Sequence, residues 1–105
     1  MVTTTVWALI AVSALGADPE AGRAVYQAKC QACHGPEGDG QGPAARALPK
    51  KPRDMTQPEF WAEFDDERIR QTITNGKPGT AMRAFPMKPD QIADLIAFLH
   101  GFEPV

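Results

Sequence analysis

The chain reads as a small, loop-rich, all-α protein of three to five short helices, and three observations lead there. Ile92, Leu95, Ile96 and Leu99 recur at helical spacing near the C-terminus, as one buried helix face requires. Ten prolines and nine glycines punctuate the 105 residues and keep most elements short. Between these breakers no alternating run of strand type survives.

The elements follow in order. Met1–Ala17 reads as a secretory signal, with the apolar run Val6–Val12 leading through Ser13-Ala14-Leu15 to small residues. The run falls short of the roughly 20 residues needed to span a bilayer. Its n-region departs from the usual pattern in having neither Lys nor Arg, and a retained segment would instead associate with a membrane. Residues 18–105 then form one domain. A first helix is expected from Pro19 to Gln31, with Asp18 as N-cap, Pro19 at N1, and Ala21, Ala24, Val25 and Ala28 on its apolar side. A glycine-rich loop occupies Gly35–Pro43. A short turn follows at Ala44–Leu48, before the Pro49–Pro52 stretch. Gln57–Phe64 has room for a helical turn or two. Asp65 or Asp66 caps a helix through Thr74 with Ile69 and Ile73 inward, and Asn75-Gly76 closes it. The last helix starts near Pro89 and stops at Gly101.

Cys30-Gln31-Ala32-Cys33-His34 carries the chemistry. Two thiols three residues apart lie on one face of a helical turn, so both can reach the vinyl groups of one porphyrin. The imidazole that follows is then placed to serve as proximal iron ligand, so Cys30, Cys33 and His34 define a c-type haem attachment site. A zinc site needs about four ligands, whereas the chain has two Cys and two His, with His100 far along the sequence. A thioredoxin-like pair belongs at a strand-to-helix junction that this sequence lacks. His100 falls in the last turn of the final helix, where an imidazole suits the exposed carbonyls and the dipole.

The distal ligand is a choice among methionines. Met55 reads as a loop or packing residue. Met87 sits at N′ of the last helix with Ile92 at N4, a hydrophobic staple that explains it without iron. Met82 lies in the irregular segment Gly76–Met82 and has no such packing role, so it is the preferred thioether ligand.

With these residues in view, the chain resembles the class I cytochrome c family, particularly its small bacterial monohaem members, over nearly all of residues 18–105. Asn75-Gly76 followed by Gly79-Thr80-Ala81-Met82-Arg83-Ala84-Phe85 looks like that family's axial-methionine loop, with Arg83 where many relatives have proline. Gly22 and Tyr26 match the first-helix pair that packs against the last helix, and Leu95 and Phe98 match its partner surface. The resemblance implies the cytochrome c fold, with helices packed around one covalently bound haem. It also implies that the carbonyl of Pro43, in Gly42-Pro43, accepts a hydrogen bond from the His34 imidazole. Arg53, in a proline-flanked basic segment, is similarly placed to pair with a haem propionate, the alternative being a solvated surface arginine. Trp61 is read as a core residue rather than a propionate donor.

Eleven basic and thirteen acidic side chains leave a net charge of −2, which offers no case for nucleic acid. A domain of about 88 residues buries only a modest core, so the porphyrin should supply much of it and the chain without haem should be largely unfolded. Tyr26, Ile69, Ile73, Phe85 and Leu95 are expected around the macrocycle. With both axial positions filled, one-electron exchange is the remaining chemistry. The sequence therefore points to an exported, periplasmic electron carrier, not an enzyme, between respiratory donors and a terminal oxidase or reductase. Its redox partners would dock weakly near an exposed haem edge, with Lys77, Arg83 and Lys88 as a positive rim and membrane contact only through partner complexes. The alternatives are a haem subunit of a larger oxidoreductase complex, or a gas-binding haem sensor or enzyme with a labile sixth ligand.

Overall fold

A computed structural model describes residues 16–105. Nearly all of the segment read as a signal, residues 1–17, therefore lies outside the described residues. Five α-helices and two 3₁₀ helices follow, with no strand among the described residues: α1 (Pro19–Lys29), α2 (Gln31–His34), a 3₁₀ helix (Pro43–Ala47), α3 (Pro58–Glu63), α4 (Asp66–Asn75), α5 (Pro89–Leu99) and a second 3₁₀ helix (His100–Phe102).

Local chemistry sets most boundaries. The Asp18 carboxylate accepts from the N–H of Glu20 at 3.0 Å and opens α1. Asp65 does the same for α4 through the N–H of Arg68 at 2.8 Å. Gly76, at φ +78°, turns the chain out of α4 where a side chain would be strained. The first helix stops two residues short of the expected end. The chain breaks at Cys30 and restarts as the single turn α2, so the attachment motif forms its own turn rather than the tail of α1. Gly101 is likewise no terminator: α5 tightens into a 3₁₀ turn that runs through it.

The crossing of α1 and α5 frames the molecule. A Cβ on Gly22 would fall 2.0 Å from the Asp94 carbonyl oxygen and 2.9 Å from the Phe98 Cβ, so the two backbones meet at this residue. The expected apolar side of α1 needs correction here: Ala21, Ala24 and Ala28 are exposed, and the buried positions are Gly22 and Tyr26, with Val25 half-buried. Close approach through a glycine brings the Tyr26 stripe inward and leaves the small alanines facing water. The Asp18 N–H also donates to Asp94 at 2.7 Å, pinning the start of α1 to α5.

Tyr26 and Leu95 are the most deeply buried large side chains, each 1 % exposed. Around them stand Phe60 of α3, Ile69 and Ile73 of α4, and Ile92, Ile96 and Leu99 of α5, with Met55 and Phe64 from the connecting segments. Burial of each large aliphatic side chain contributes about 1.5–3 kcal/mol. Phe60 and Phe64 stack 4.7 Å apart across α3, and the guanidinium of Arg68 covers Phe64 at 4.3 Å.

Candidate haem site

The core is open on one side. A cavity of about 680 Å³, within the usual range for cofactor sites, is walled by apolar side chains of all the α-helices and the loops between them. Tyr26, Ile69, Ile73, Phe85 and Leu95 all line it, as expected. Leu48, Phe60, Phe64 and Leu99 join them. Phe60 and Phe64 had a sequence signal, four apart in a predicted helical turn, but nothing local distinguished their inward face from ordinary core.

Cys30, Cys33 and His34 lie together on one wall. The turn that carries them is held by bonds from the N–H groups of Cys33 and His34 to the Cys30 carbonyl, at 3.3 and 2.9 Å. The glycine loop folds back beneath it. Gly40 and Gly42 donate to the carbonyls of His34 and Cys33 at 2.9 and 3.0 Å, and a Cβ on Gly42 would strike the Ala32 carbonyl oxygen at 2.3 Å. Burial holds the His34 imidazole below its ordinary pKa, which keeps a nitrogen lone pair free for a metal. Burial likewise pushes the Cys30 thiol up to about 11, against a smaller pull from Lys29.

Met82 lines the same cavity. Its loop is tied down at the base, where Lys77 donates to the Met82 carbonyl at 3.0 Å and Phe85 to the Ile73 carbonyl at 2.8 Å. Met87 does not reach the cavity and packs on the core ahead of α5, while Met55 is buried at 4 % exposure. Pro43 opens the first 3₁₀ helix next to Gly42 and is not part of the cavity wall. The Nδ1 atom of His34 is buried and accepts or donates no hydrogen bond.

Arg53 lies at the cavity mouth, ion-paired to Glu63 at 2.9 Å, and that hydrogen bond holds the Glu63 carboxyl below its usual range. Lys29, Lys50, Lys51, Lys77 and Arg83 also line the cavity, and none of the thirteen acidic residues does. Lys88 is absent from this rim; it is the N-cap of α5, away from the cavity. Trp61 donates its indole N–H to the Met55 carbonyl at 2.7 Å, in line with a packing role. His100 differs from expectation: its ring nitrogens contact the carboxylates of Asp66 at 2.7 Å and Glu103 at 2.8 Å, not the helix-end carbonyls.

The donor set fits haem c. Paired thiols, a neutral imidazole with an unpartnered nitrogen and a thioether converge on one apolar cavity, and the cationic mouth suits anionic propionates.

Comparison with known proteins agrees. The Cytochrome c family profile matches residues 19–103, and the chain belongs to the cytochrome c family. It is 30 % identical over 89 residues to a cytochrome c-553-like protein of Synechocystis, covering 84 % of this chain and 72 % of that one. A chain of the reducing HAO-like protein complex of Kuenenia stuttgartiensis superposes with a TM-score of 0.68 at 31 % identity, over 80 % of this chain. The match spans 42 % of that longer chain. A solved c-type cytochrome superposes at 0.62 with 29 % identity, over 78 % of this chain and 96 % of that one. The all-helical fold is that of c-type cytochromes, and the cofactor is covalently bound haem c.

Proposed function

We propose that this cytochrome is a one-electron carrier whose haem is held by thioethers to Cys30 and Cys33 and closed by His34 and Met82. The observation that carries this is the placement of Met82, alone among the methionines of the described residues, in the cavity wall with the attachment motif. Bound haem supplies a ferric–ferrous couple. The residues around it do the rest. As ligands, His34 and Met82 would leave no open position for a substrate, and the thioether paired with imidazole would favour the ferrous state. Pro43 is the acceptor we assign to the His34 Nδ1–H, which would fix the ring and raise its basicity. Arg53 would turn from Glu63 toward a propionate. The apolar walls keep water from most of the macrocycle.

A carrier must also meet and leave its partners quickly. Six cations line the cavity and no acidic residue does, with Glu63 beside it neutralising Arg53; on a chain of net charge −2 that excess supports docking of acidic redox partners there. We place the protein in the periplasm, exported by its N-terminal segment, between respiratory donors and a terminal acceptor. The likeness to a chain of the reducing HAO-like protein complex favours a second reading, a haem subunit seated permanently in a larger assembly.

Carbon monoxide added to the reduced holoprotein tests the closed centre. Unchanged Soret and visible bands are expected. A rapid spectral change would reveal an open or labile sixth position and replace the carrier with a gas-binding protein.

A further inference from the structure

We propose that Tyr26 is the positioning residue for the proximal imidazole, gripping the attachment motif at both of its ends. This rests on His34 as iron ligand. The main-chain carbonyl of Tyr26 accepts from the N–H of Cys30 at 2.8 Å, and its phenol donates to the carbonyl of Gly35 at 2.5 Å. Those two bonds bracket residues 30–35 from a single side chain and backbone unit on α1.

The grip is rigid. The Tyr26 ring is 1 % exposed and packs against Phe98 and Phe102, with centroids 5.2 and 5.4 Å away, so it has no solvent to swing into. Between the two anchors, the N–H of His34 donates to the Cys30 carbonyl and its carbonyl accepts from Gly40, both at 2.9 Å. The backbone of His34 is therefore fixed on each side, and the point from which its ring projects follows from where Tyr26 holds the next peptide. Packing alone would be served by phenylalanine. A phenol in so dry a position needs a partner, and the partner here is the peptide next to the ligand.

The conservative variant is well suited to a test. Tyr26→Phe keeps the ring and removes one bond, while the Gly35 carbonyl keeps its second donor, the N–H of Gly38 at 3.1 Å. The fold should survive. Holoproteins of the parent, Tyr26→Phe and Ile92→Val are compared by proton NMR of the ferric state, where haem-methyl shifts report the orientation of the axial imidazole. Tyr26→Phe should alter the order or spread of those shifts. Ile92→Val, a packing change on α5 away from the cavity and from the Tyr26 ring contacts, should lower the unfolding temperature and leave the shift pattern of the parent. Parent-like shifts in Tyr26→Phe overturn the proposal and reduce Tyr26 to a core residue. Histidine labelled with ¹⁵N distinguishes the underlying reading: no paramagnetically shifted His34 nitrogen in the parent defeats the ligand assignment itself.

Discussion

Replacing Gly22 with alanine should loosen the whole frame around the haem. The added Cβ would lie 2.0 Å from the Asp94 carbonyl oxygen and 2.6 Å from its carbon, both backbone atoms that no rotamer change can move. Relief requires α1 and α5 to separate, which strips contacts from Tyr26, Leu95 and Phe98 and strains the Asp18–Asp94 bond. Overpacking of this kind costs about 1–3 kcal/mol, and a backbone clash belongs at the upper end. Alanine returns about 1 kcal/mol of helix propensity. The net loss is then about 2 kcal/mol, or roughly 8–16 °C in Tm for a domain of this size. Thermal unfolding of the holoprotein, followed by circular dichroism and by the Soret band, measures it. A Gly22→Ala protein as stable as its parent would falsify the close helix crossing.

Two further outcomes follow from charge. Electron exchange with an acidic partner should slow as salt rises, and Lys50→Glu with Lys51→Glu should cut the low-salt rate by about tenfold or more; stopped-flow rates indifferent to ionic strength sink the cationic mouth. His100 faces carboxylates with both ring nitrogens, an arrangement only the imidazolium can donate to fully. Burial works against that charge, but the hydrogen bonds and attraction of Glu103 and Asp66 outweigh it and raise the pKa above its ordinary value. The stabilisation is complete below the unfolded pKa, roughly 6.5, and fades as pH climbs through the raised folded value. For so exposed a cluster it amounts to about 0.2–1 kcal/mol. His100→Gln should flatten the decline of stability above neutral pH, and an unchanged slope in denaturant titrations removes the clamp from consideration.

What could be read from sequence was what is settled locally. Asp18 and Asp65 as caps, Asn75-Gly76 as a terminator, and the inward Ile69 and Ile73 are decided within a few residues, and they stand as expected. Gly22, Tyr26, Leu95 and Phe98 were legible because a known packing pattern supplied the missing long-range information. What failed depends on distance in space. The alanines of α1 are apolar but lose their place to a glycine that lets the helices touch. Lys88 lies close in sequence to the Met82 loop yet caps a helix facing elsewhere, while Lys29 and Lys50, far along the chain, reach the cavity. His100 was judged by its own helix, when its partners are Asp66 on α4 and Glu103 beyond the chain turn. The bond from the Tyr26 phenol to Gly35 joins two loci whose neighbourhood only the folded chain creates.

The closed His34–Met82 centre is the claim on which the rest depends, and the ferric methionine–iron charge-transfer band tests it most directly. Met82→Ala should abolish the band and open the sixth position, while Met87→Ala, which removes a packing residue outside the cavity, should retain it at somewhat lower stability. A band that survives Met82→Ala and disappears in Met87→Ala would contradict the assignment and require the loop before α5 to turn its other methionine to the iron.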